Sequence, residues 1–306
     1  MSLRKIQNVC KSLAGAEELS LQLLKIKISK KTGISYTGRE VIFSPDGALS
    51  NFVTEISEKY TSGLQDNYTR VQDYDGSVIG NVIYKISISN NLIKEDYNRL
   101  VNSLANPNTE IPPLEFGAQA YVIKGKIKLN DENKIVRLIT MQKPVTVLQH
   151  KFLYSNSRFK EISDKVISLK TLIDIMIVDD MVYMFNLSGE RLFNLERAYK
   201  KICSDKVNEI KECDFLTDFT LFEKDACSGH NPRRFISFND SKLQALKNKE
   251  KRIAIAEKFE IIMTNGKIDT TVKGNNNKLV KLLCNNGMVD PFDETPKEVA
   301  GARKWS

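Results

Sequence analysis

The sequence contains few of the residues from which active sites are usually built. Its 306 residues include two histidines, His150 and His230, and 15 glycines. No GxSxG, HExxH, Walker A or GxGxxG pattern is present. A histidine-based triad therefore has few available members, and no glycine-rich loop is available to hold a phosphate. These absences favour a non-enzymatic protein that needs no cofactor.

Cysteine is also scarce, and its spacing argues against a metal site. There are five cysteines, and no CxxC pair occurs among them. An odd number without close pairs is typical of reduced thiols in the cytoplasm. Cys213, Cys227 and His230 would supply three loosely spaced ligands, whereas a structural zinc ion usually takes four ligands in tight pairs. We therefore expect a cytoplasmic protein without a bound metal.

Long apolar runs are missing as well. The longest, residues 172–178, is interrupted by Asp174, and a membrane-spanning helix needs about 18 or more apolar residues. The first residues are polar and mixed, so no secretory signal is visible. We expect no direct insertion into a membrane, and a role at a membrane would come through a partner.

Positive charge is abundant and unevenly distributed. The formal net charge is +8, and residues 231–281 alone hold twelve Lys or Arg against five Asp or Glu, a net charge of +7. A basic cluster of this kind attracts polyanions. No base-reading motif accompanies it. If the polyanion is a nucleic acid such as duplex DNA, we expect binding through its phosphates that is largely independent of base sequence.

The pattern of apolar and polar residues predicts an α+β (mixed α/β) fold with two domains. Residues 1–155 would form a strand-rich N-terminal domain, and residues 156–306 a mixed strand-helix C-terminal domain. The predicted strands are residues 21–28, 79–88, 121–129, 135–141, 172–178, 181–186 and 233–238, and the predicted helices are residues 51–60, 94–105, 241–259 and 278–284. Asn239 or Asp240 would cap the helix that begins at residue 241.

Twelve basic side chains make up the predicted DNA-binding site. Arginine suits bidentate contact with phosphate, and lysine supplies a point charge. Arg233 and Arg234 stand at the start of a predicted strand, where one of them would clamp a phosphate. The others are Lys242, Lys247, Lys249, Lys251, Arg252, Lys278 and Lys281 in the C-terminal domain, and Lys124, Lys126 and Lys128 on one face of an N-terminal strand. For any one lysine, a solvated helix surface or sheet face is the simpler explanation.

Two other functions fit parts of the sequence. A magnesium-dependent nuclease would hold its metal with Asp174, Asp179 or Asp180, although Asp179 and Asp180 also suit the tip of a hairpin. A protein-interaction module would instead dock its basic face on an acidic protein. The nuclease predicts DNA cleavage that EDTA abolishes, and the interaction module predicts no DNA affinity even at low salt.

Three segments resemble the KwaB family, one of the two proteins of the Kiwa anti-phage defence system of bacteria. They are residues 173–186 with residues 189–199, the run NPRRFISFNDSKL at residues 231–243, and MVDPF at residues 288–292. The resemblance implies a DNA-binding effector that blocks phage replication. It also implies a membrane-spanning partner, KwaA, that holds the effector at the inner membrane. It brings no catalytic residues. A homodimer is expected in addition, since it would double the basic surface.

Overall fold

The computed structural model of this protein describes residues 2–29, 31, 33–44, 47–112, 115–142, 151–155, 158–162, 169–285, 287–289, 296–298 and 303–304. The chain divides into two compact units. The first, the sheet unit, is Met1–Asp73 with Asn81–Asn194, and the second, the helical unit, is Tyr74–Gly80 with Leu195–Ser306. The division follows Asn194 rather than residue 155, because strands that complete the sheet lie between residues 175 and 184.

The sheet unit is organised around one large sheet. Its strands are β1 (Glu17–Ser29), β2 (Gly33–Val41), β3 (Arg70–Asp73), β4 (Val82–Ser87), β5 (Ala120–Leu129), β6 (Glu132–Thr140), β7 (Lys151–Ser155), β8 (Arg158–Ile162), β9 (Ile175–Val178) and β10 (Met181–Met184). Eight of them form a sheet in the order β2–β1–β5–β6–β9–β10–β4–β3, and β7 pairs with β8. Neighbours in the large sheet are antiparallel except for β3 and β4. Its helices are α1 (Leu3–Ser12), α2 (Ala48–Asn67) and α3 (Lys94–Ala105).

The hairpin formed by β5 and β6 follows directly from local sequence. Asn130 and Asp131 have positive φ angles of 51° and 62°, as in the type I′ turns whose twist suits a two-residue hairpin. This turn places Lys124 of β5 opposite Arg137 of β6. The two strands predicted at residues 121–129 and 135–141 are therefore confirmed.

One face of the large sheet packs against α1 and α2. Leu21 and Leu23 of β1 and Ile123 of β5 are buried, and they share a hydrophobic cluster with Ile6 of α1 and Val53 of α2. Burying an aliphatic side chain of this size stabilises the fold by about 1.5–3 kcal/mol. The confirmed predictions in this region are the strand at residues 21–28 and the helices at residues 51–60 and 94–105.

A second predicted hairpin lies near the middle of the sheet. All four residues of β9 are buried, and Asp179, at the turn into β10, has a positive φ of 53°. β9 pairs with β6 and with β10, and β10 pairs with β4. The hairpin and the α+β class are both confirmed.

The helical unit contains six helices among its described residues. They are α4 (Leu195–Lys211), α5 (Phe219–Ala226), α6 (Asn231–Arg234), α7 (Asp240–Lys247), α8 (Lys249–Lys258) and α9 (Asn275–Leu283), with short strands β11 (Met263–Thr264), β12 (Lys267–Ile268), β13 (Gly287–Val289), β14 (Pro296–Glu298) and β15 (Arg303–Lys304). Cys203, Phe215, Phe222, Phe235 and Leu279 are among the residues of their shared core. Five of the helices contribute buried residues to this one hydrophobic cluster, so the helical unit has its own hydrophobic core.

The strand predicted at residues 233–238 is wrong. These residues form the end of α6 and a 3₁₀ helix, Phe235–Ser237. Pro232 lies in the first turn of α6, where proline favours a helix start. The rings of Phe235 and Phe238 stack with centroids 5.8 Å apart. The alternation of apolar residues therefore reflects a helical spacing of three residues rather than the two-residue period of a strand.

The helix predicted at residues 241–259 is two helices, α7 and α8. Asn248 between them has extended backbone angles, and its side chain accepts the N–H of Lys251 at 3.0 Å. Asparagine is a favoured N-cap because it satisfies such a free N–H group. The cap predicted at Asn239 is confirmed, since its side chain accepts the N–H of Lys242 at 3.2 Å.

A short segment from the first half of the chain, Tyr74–Gly80, belongs to the helical unit. The Ser237 hydroxyl donates to the carbonyl of Asp75 in this segment at 3.4 Å. Gly76 has a φ of +74°, and a Cβ atom there would lie 2.3 Å from the carbonyl oxygen of Arg233. Only glycine fits this approach, so the segment packs closely on α6.

Candidate nucleic-acid interface

Arg252, a predicted DNA contact, is buried, with 8% of its surface exposed. Its guanidinium donates to the carbonyl oxygens of Leu246 at 2.7 Å, Lys247 at 3.3 Å and Gly266 at 2.9 and 3.1 Å. It also lies 5.9 Å from the centre of the Phe215 ring. Leu246 and Lys247 end α7, where carbonyls lack partners within the helix. Arg252 therefore closes a helix end, and a phosphate could reach it only by displacing these bonds.

Lys242 and Lys278 bond to the backbone near two other helix ends. The Lys242 ammonium donates to the carbonyl of Leu282 in α9 at 3.0 Å, and partial burial lowers its pKa. The Lys278 ammonium donates to the carbonyl of Glu260, just beyond α8, at 3.1 Å and lies 3.5 Å from the Glu260 carboxylate. Cations at these positions satisfy free carbonyls and offset the negative end of the helix dipole.

Three further predicted contacts are partly or wholly withdrawn from solvent. Lys281 is 8% exposed. The Arg233 guanidinium lies 5.4 Å from the centre of the Tyr199 ring. Burial raises the pKa of the Cys284 thiol, and the nearby Arg234 opposes that rise. Successive residues of a helix point about 100° apart, so Arg233 and Arg234 do not lie on the two opposite faces expected of a strand.

The NPRRFISFN run joins helices of the helical unit. The Asn231 side chain donates to the carbonyl of Asp225 at 2.9 Å and to the side chain of Asn277 at 2.8 Å. The Asn239 side chain donates to that of Asn285 at 3.1 Å, and Phe235 is buried. The most specific motif of the sequence therefore has a packing role that its residues alone did not indicate.

Three predicted contacts remain exposed around the junction of α7 and α8. Lys247, Lys249 and Lys251 flank Asn248, and each is exposed. No ion pair joins them to an acidic side chain in the described part of the chain. Lys247 lies beside the Cys213 thiol. Burial raises the pKa of this thiol, and the nearby Lys247 opposes that rise. The structure thus leaves a short cluster of exposed lysines without an ion pair to a described residue, which we call the junction lysines.

The predicted lysines of β5 belong to the sheet unit and share one face of the strand. Lys124 is exposed, Lys126 lies 3.1 Å from the Glu18 carboxylate, and Lys128 lies 3.6 Å from the Asp131 carboxylate. The charges of Lys126 and Lys128 are therefore locally compensated, whereas Lys124 has no ion pair with a described residue.

Sequence reasoning missed Arg137, which lies directly opposite Lys124. The signal was present in the hairpin. A two-residue turn at Asn130 and Asp131 fixes which residues of the two strands face each other. Counting outward from that turn would have placed the second cation beside the first.

The aspartates considered for a nuclease do not form a cluster that could hold a metal ion in the described part of the chain. Asp174 is 7% exposed, and its carboxylate accepts the N–H of Met141 at 2.6 Å and a hydrogen bond from the Asn186 side chain. Asp179 pairs with Lys134 at 3.1 Å. β9 separates the two aspartates, so their backbones are about 16 Å apart at about 3.3 Å per residue. Among the described residues, no group of three His, Cys, Asp or Glu is placed to hold a metal ion.

Together the fold and these side chains define an α+β protein with a basic helical unit and an exposed lysine cluster. A family model described as Kiwa protein KwaB-like matches residues 117–289, more than half of the chain. The chain therefore belongs to the KwaB-like family, which implies a component of the Kiwa anti-phage defence system. No curated protein and no solved structure matches the chain.

A helix that spans a bilayer needs about 20 predominantly apolar residues. None of the helices in the described ranges is both long enough and apolar enough to span a membrane.

Proposed function

We propose that this protein is a DNA-binding effector of Kiwa defence that binds duplex DNA through the junction lysines and blocks phage replication. The observation that carries the proposal is the exposure of Lys247, Lys249 and Lys251 without an acidic partner among the described residues. The other predicted cations of the helical unit are tied to carbonyls, packed on a ring or withdrawn from solvent.

The spacing of the three lysines suits a phosphate backbone. Lys247 and Lys251 are four residues apart, so their Cα atoms are at most about 15 Å apart. One DNA strand carries a phosphate about every 3.4 Å along the helix axis, so this span covers at most about four phosphates. Contacts of this kind position a protein without reading bases. We therefore propose binding that is largely independent of sequence.

The test is binding of the purified full chain to labelled duplex DNA over a salt series, with and without magnesium. Replacing all three junction lysines with alanine should lower the slope of log affinity against log salt by about 2.7, because each phosphate contact contributes about 0.9. At about 0.1 M salt the affinity should fall roughly 10- to 100-fold.

A matched control removes the same charge elsewhere in the helical unit. Lys201, Lys224 and Lys273 are exposed, and their triple alanine variant loses three positive charges outside the junction. If this variant weakens binding as much as the junction variant, net charge rather than the junction lysines binds DNA. Absence of binding at low salt would favour the protein-interaction module, and cleavage that requires magnesium would favour the nuclease.

The family also supports a proposal about assembly. We propose a cytoplasmic protein that the membrane-spanning partner KwaA holds at the inner membrane, and a homodimer that doubles the basic surface. Co-purification with tagged KwaA from membranes tests the first part. Light scattering during size-exclusion chromatography tests the second, and a mass of about one chain would contradict it.

A further inference from the structure

The sheet unit contains a cavity of about 410 Å³ that the proposed function does not use. Its floor is formed by β1, β2, β5 and β6, and the last turns of α3 line one side. A volume of this size falls within the range of pockets that bind small molecules. The residues that line it differ in character from one end to the other.

Two cations stand at one end of the cavity. Lys124 and Arg137 both line it and face each other on neighbouring antiparallel strands. Directly opposed residues have Cβ atoms about 5 Å apart, and like charges in this position are destabilising. Neither side chain has an ion pair with a residue that the structure describes. An anion between them would relieve the repulsion. It would accept two hydrogen bonds from the arginine guanidinium and would be attracted to the lysine ammonium.

The other end of the cavity has an acidic and an apolar wall. Glu40 of β2 is aligned with Gln22 of β1, which is aligned with Val122 of β5. Glu40 is therefore about 10 Å across the sheet from β5. Leu104 of α3 and Pro107 supply apolar surface. The side chain of Gln22 donates to the Leu104 carbonyl at 3.0 Å, which ties α3 to the floor.

These features match a ligand with an anionic group at one end and a flat body rich in hydrogen-bond donors at the other. We propose that the cavity binds a nucleoside monophosphate. The phosphate contacts Lys124 and Arg137, the base packs against Leu104 and Pro107, and Glu40 accepts hydrogen bonds from ribose hydroxyls or a base amino group. The site uses side chains of a sheet rather than a glycine-rich loop.

The experiment is calorimetric titration of the full chain with AMP, with adenosine and with inorganic phosphate. AMP should bind, and adenosine and phosphate should each bind at least about tenfold more weakly, since each occupies one end of the cavity. Lys124→Gln and Arg137→Gln should each weaken AMP binding about tenfold or more. Lys128→Gln removes the same charge on the same face of β5 outside the cavity, and it should leave AMP binding unchanged.

The apo protein provides a second readout that separates binding from folding. Removing one of two opposed cations should raise the melting temperature of the ligand-free protein by about 1–2 °C. A purely structural role for Lys124 would lower that temperature instead, which would overturn the proposal.

Other outcomes would also overturn it. Phosphate binding as tight as AMP would reduce the cavity to an anion site, and an equal loss in Lys128→Gln would mean diffuse attraction to a basic face. No AMP binding at millimolar concentration would exclude the site. The triple alanine variant of the junction lysines should still bind AMP, so failure of this proposal is distinguishable from failure of DNA binding.

Discussion

The basic side chains of the sheet unit and of the helical unit differ in how regularly they are exposed to solvent. On β5, Lys124, Lys126 and Lys128 all lie on the face that the alternation predicts. In the helical unit, Lys251 is exposed while its neighbour Arg252 is buried and bonded to three carbonyl groups. A strand separates its side chains into two faces, so a lysine repeated at every second position stays in solvent. Along short helices the same residue type can point outward or close a helix end.

This difference explains why the net charge counted along a segment is larger than the charge that the segment presents at the surface. Short helices leave many carbonyls without partners relative to their length. Arg252, Lys242 and Lys278 donate to carbonyls at or just beyond the ends of α7, α9 and α8. Part of the net charge of +7 in residues 231–281 therefore serves the fold. Among the predicted contacts in this segment, the junction lysines are the ones that stay exposed to a partner.

The strongest test of this comparison is Arg252→Ala. It should destabilise the protein by about 3 kcal/mol, because the buried carbonyls that Arg252 satisfies lose their donor. Chemical denaturation of the purified protein measures the loss. Lys251→Ala, one position away and exposed, is the matched control and should change stability by less than about 0.5 kcal/mol. Equal effects would mean that burial does not separate the two residues.

The counterpart in the sheet unit is the buried acid Asp174. Asp174→Ala should cost about 2 kcal/mol, because the N–H of Met141 and the side chain of Asn186 lose their acceptor. Asp179→Asn removes the charge of an exposed ion pair to Lys134, keeps a residue type that tolerates the positive φ at this turn, and should cost about 0.5 kcal/mol. Denaturation measures both changes. A loss of magnesium-dependent DNA cleavage with unchanged stability would instead revive a catalytic role for Asp174.

A smaller effect is expected when the compensated lysines of the sheet are removed. The double variant Lys126→Ala and Lys128→Ala should change DNA affinity less than about threefold at physiological salt, because Glu18 and Asp131 already offset these charges. Fluorescence anisotropy with duplex DNA measures it. A loss as large as that of the triple junction variant would place the DNA on the sheet unit.

The smallest effect concerns an exposed acid of the helical unit. Hydrogen bonds from the Thr271 and Thr264 hydroxyls and from the Thr271 N–H lower the pKa of Asp269 below its ordinary value of 3.8. Its carboxylate therefore stabilises the folded state above pH 3.8, and this contribution is lost as the pH falls through the lower folded pKa. The stability gap between wild type and Asp269→Asn should shrink from pH 6 toward about pH 3. A gap that is constant with pH would exclude this role.

Sequence reasoning succeeded where local signals decide the structure. The turn at Asn130 and Asp131 and the turn at Asp179 each join two alternating or apolar runs, and both hairpins were predicted. It failed at residues 233–238, where apolar spacing fits a strand and a 3₁₀ turn equally. Pro232, at the start of α6, was the signal that could have decided between them.

The candidate site was predictable only in part. Lys247, Lys249 and Lys251 were identified by charge and are exposed. The burial of Arg252 depends on which carbonyls lie near its guanidinium, including that of Gly266 fourteen residues away. The cavity between Lys124 and Glu40 depends on strand order, which joins β2, β1 and β5 from distant parts of the chain. Spacing along the sequence carries little information about either arrangement.

The position of β4 in the sheet has a consequence for synthesis. β4 ends at Ser87, yet it joins the rest of the sheet through β10, which ends at Met184. At about 5–20 residues per second, a ribosome needs roughly 5–20 s to make the intervening chain. Throughout that interval the apolar residue Ile86 of the nascent chain lacks Val182, its aligned neighbour in β10. The growing polypeptide therefore passes through a vulnerable stage in which chaperone binding at β4 would protect it from aggregation.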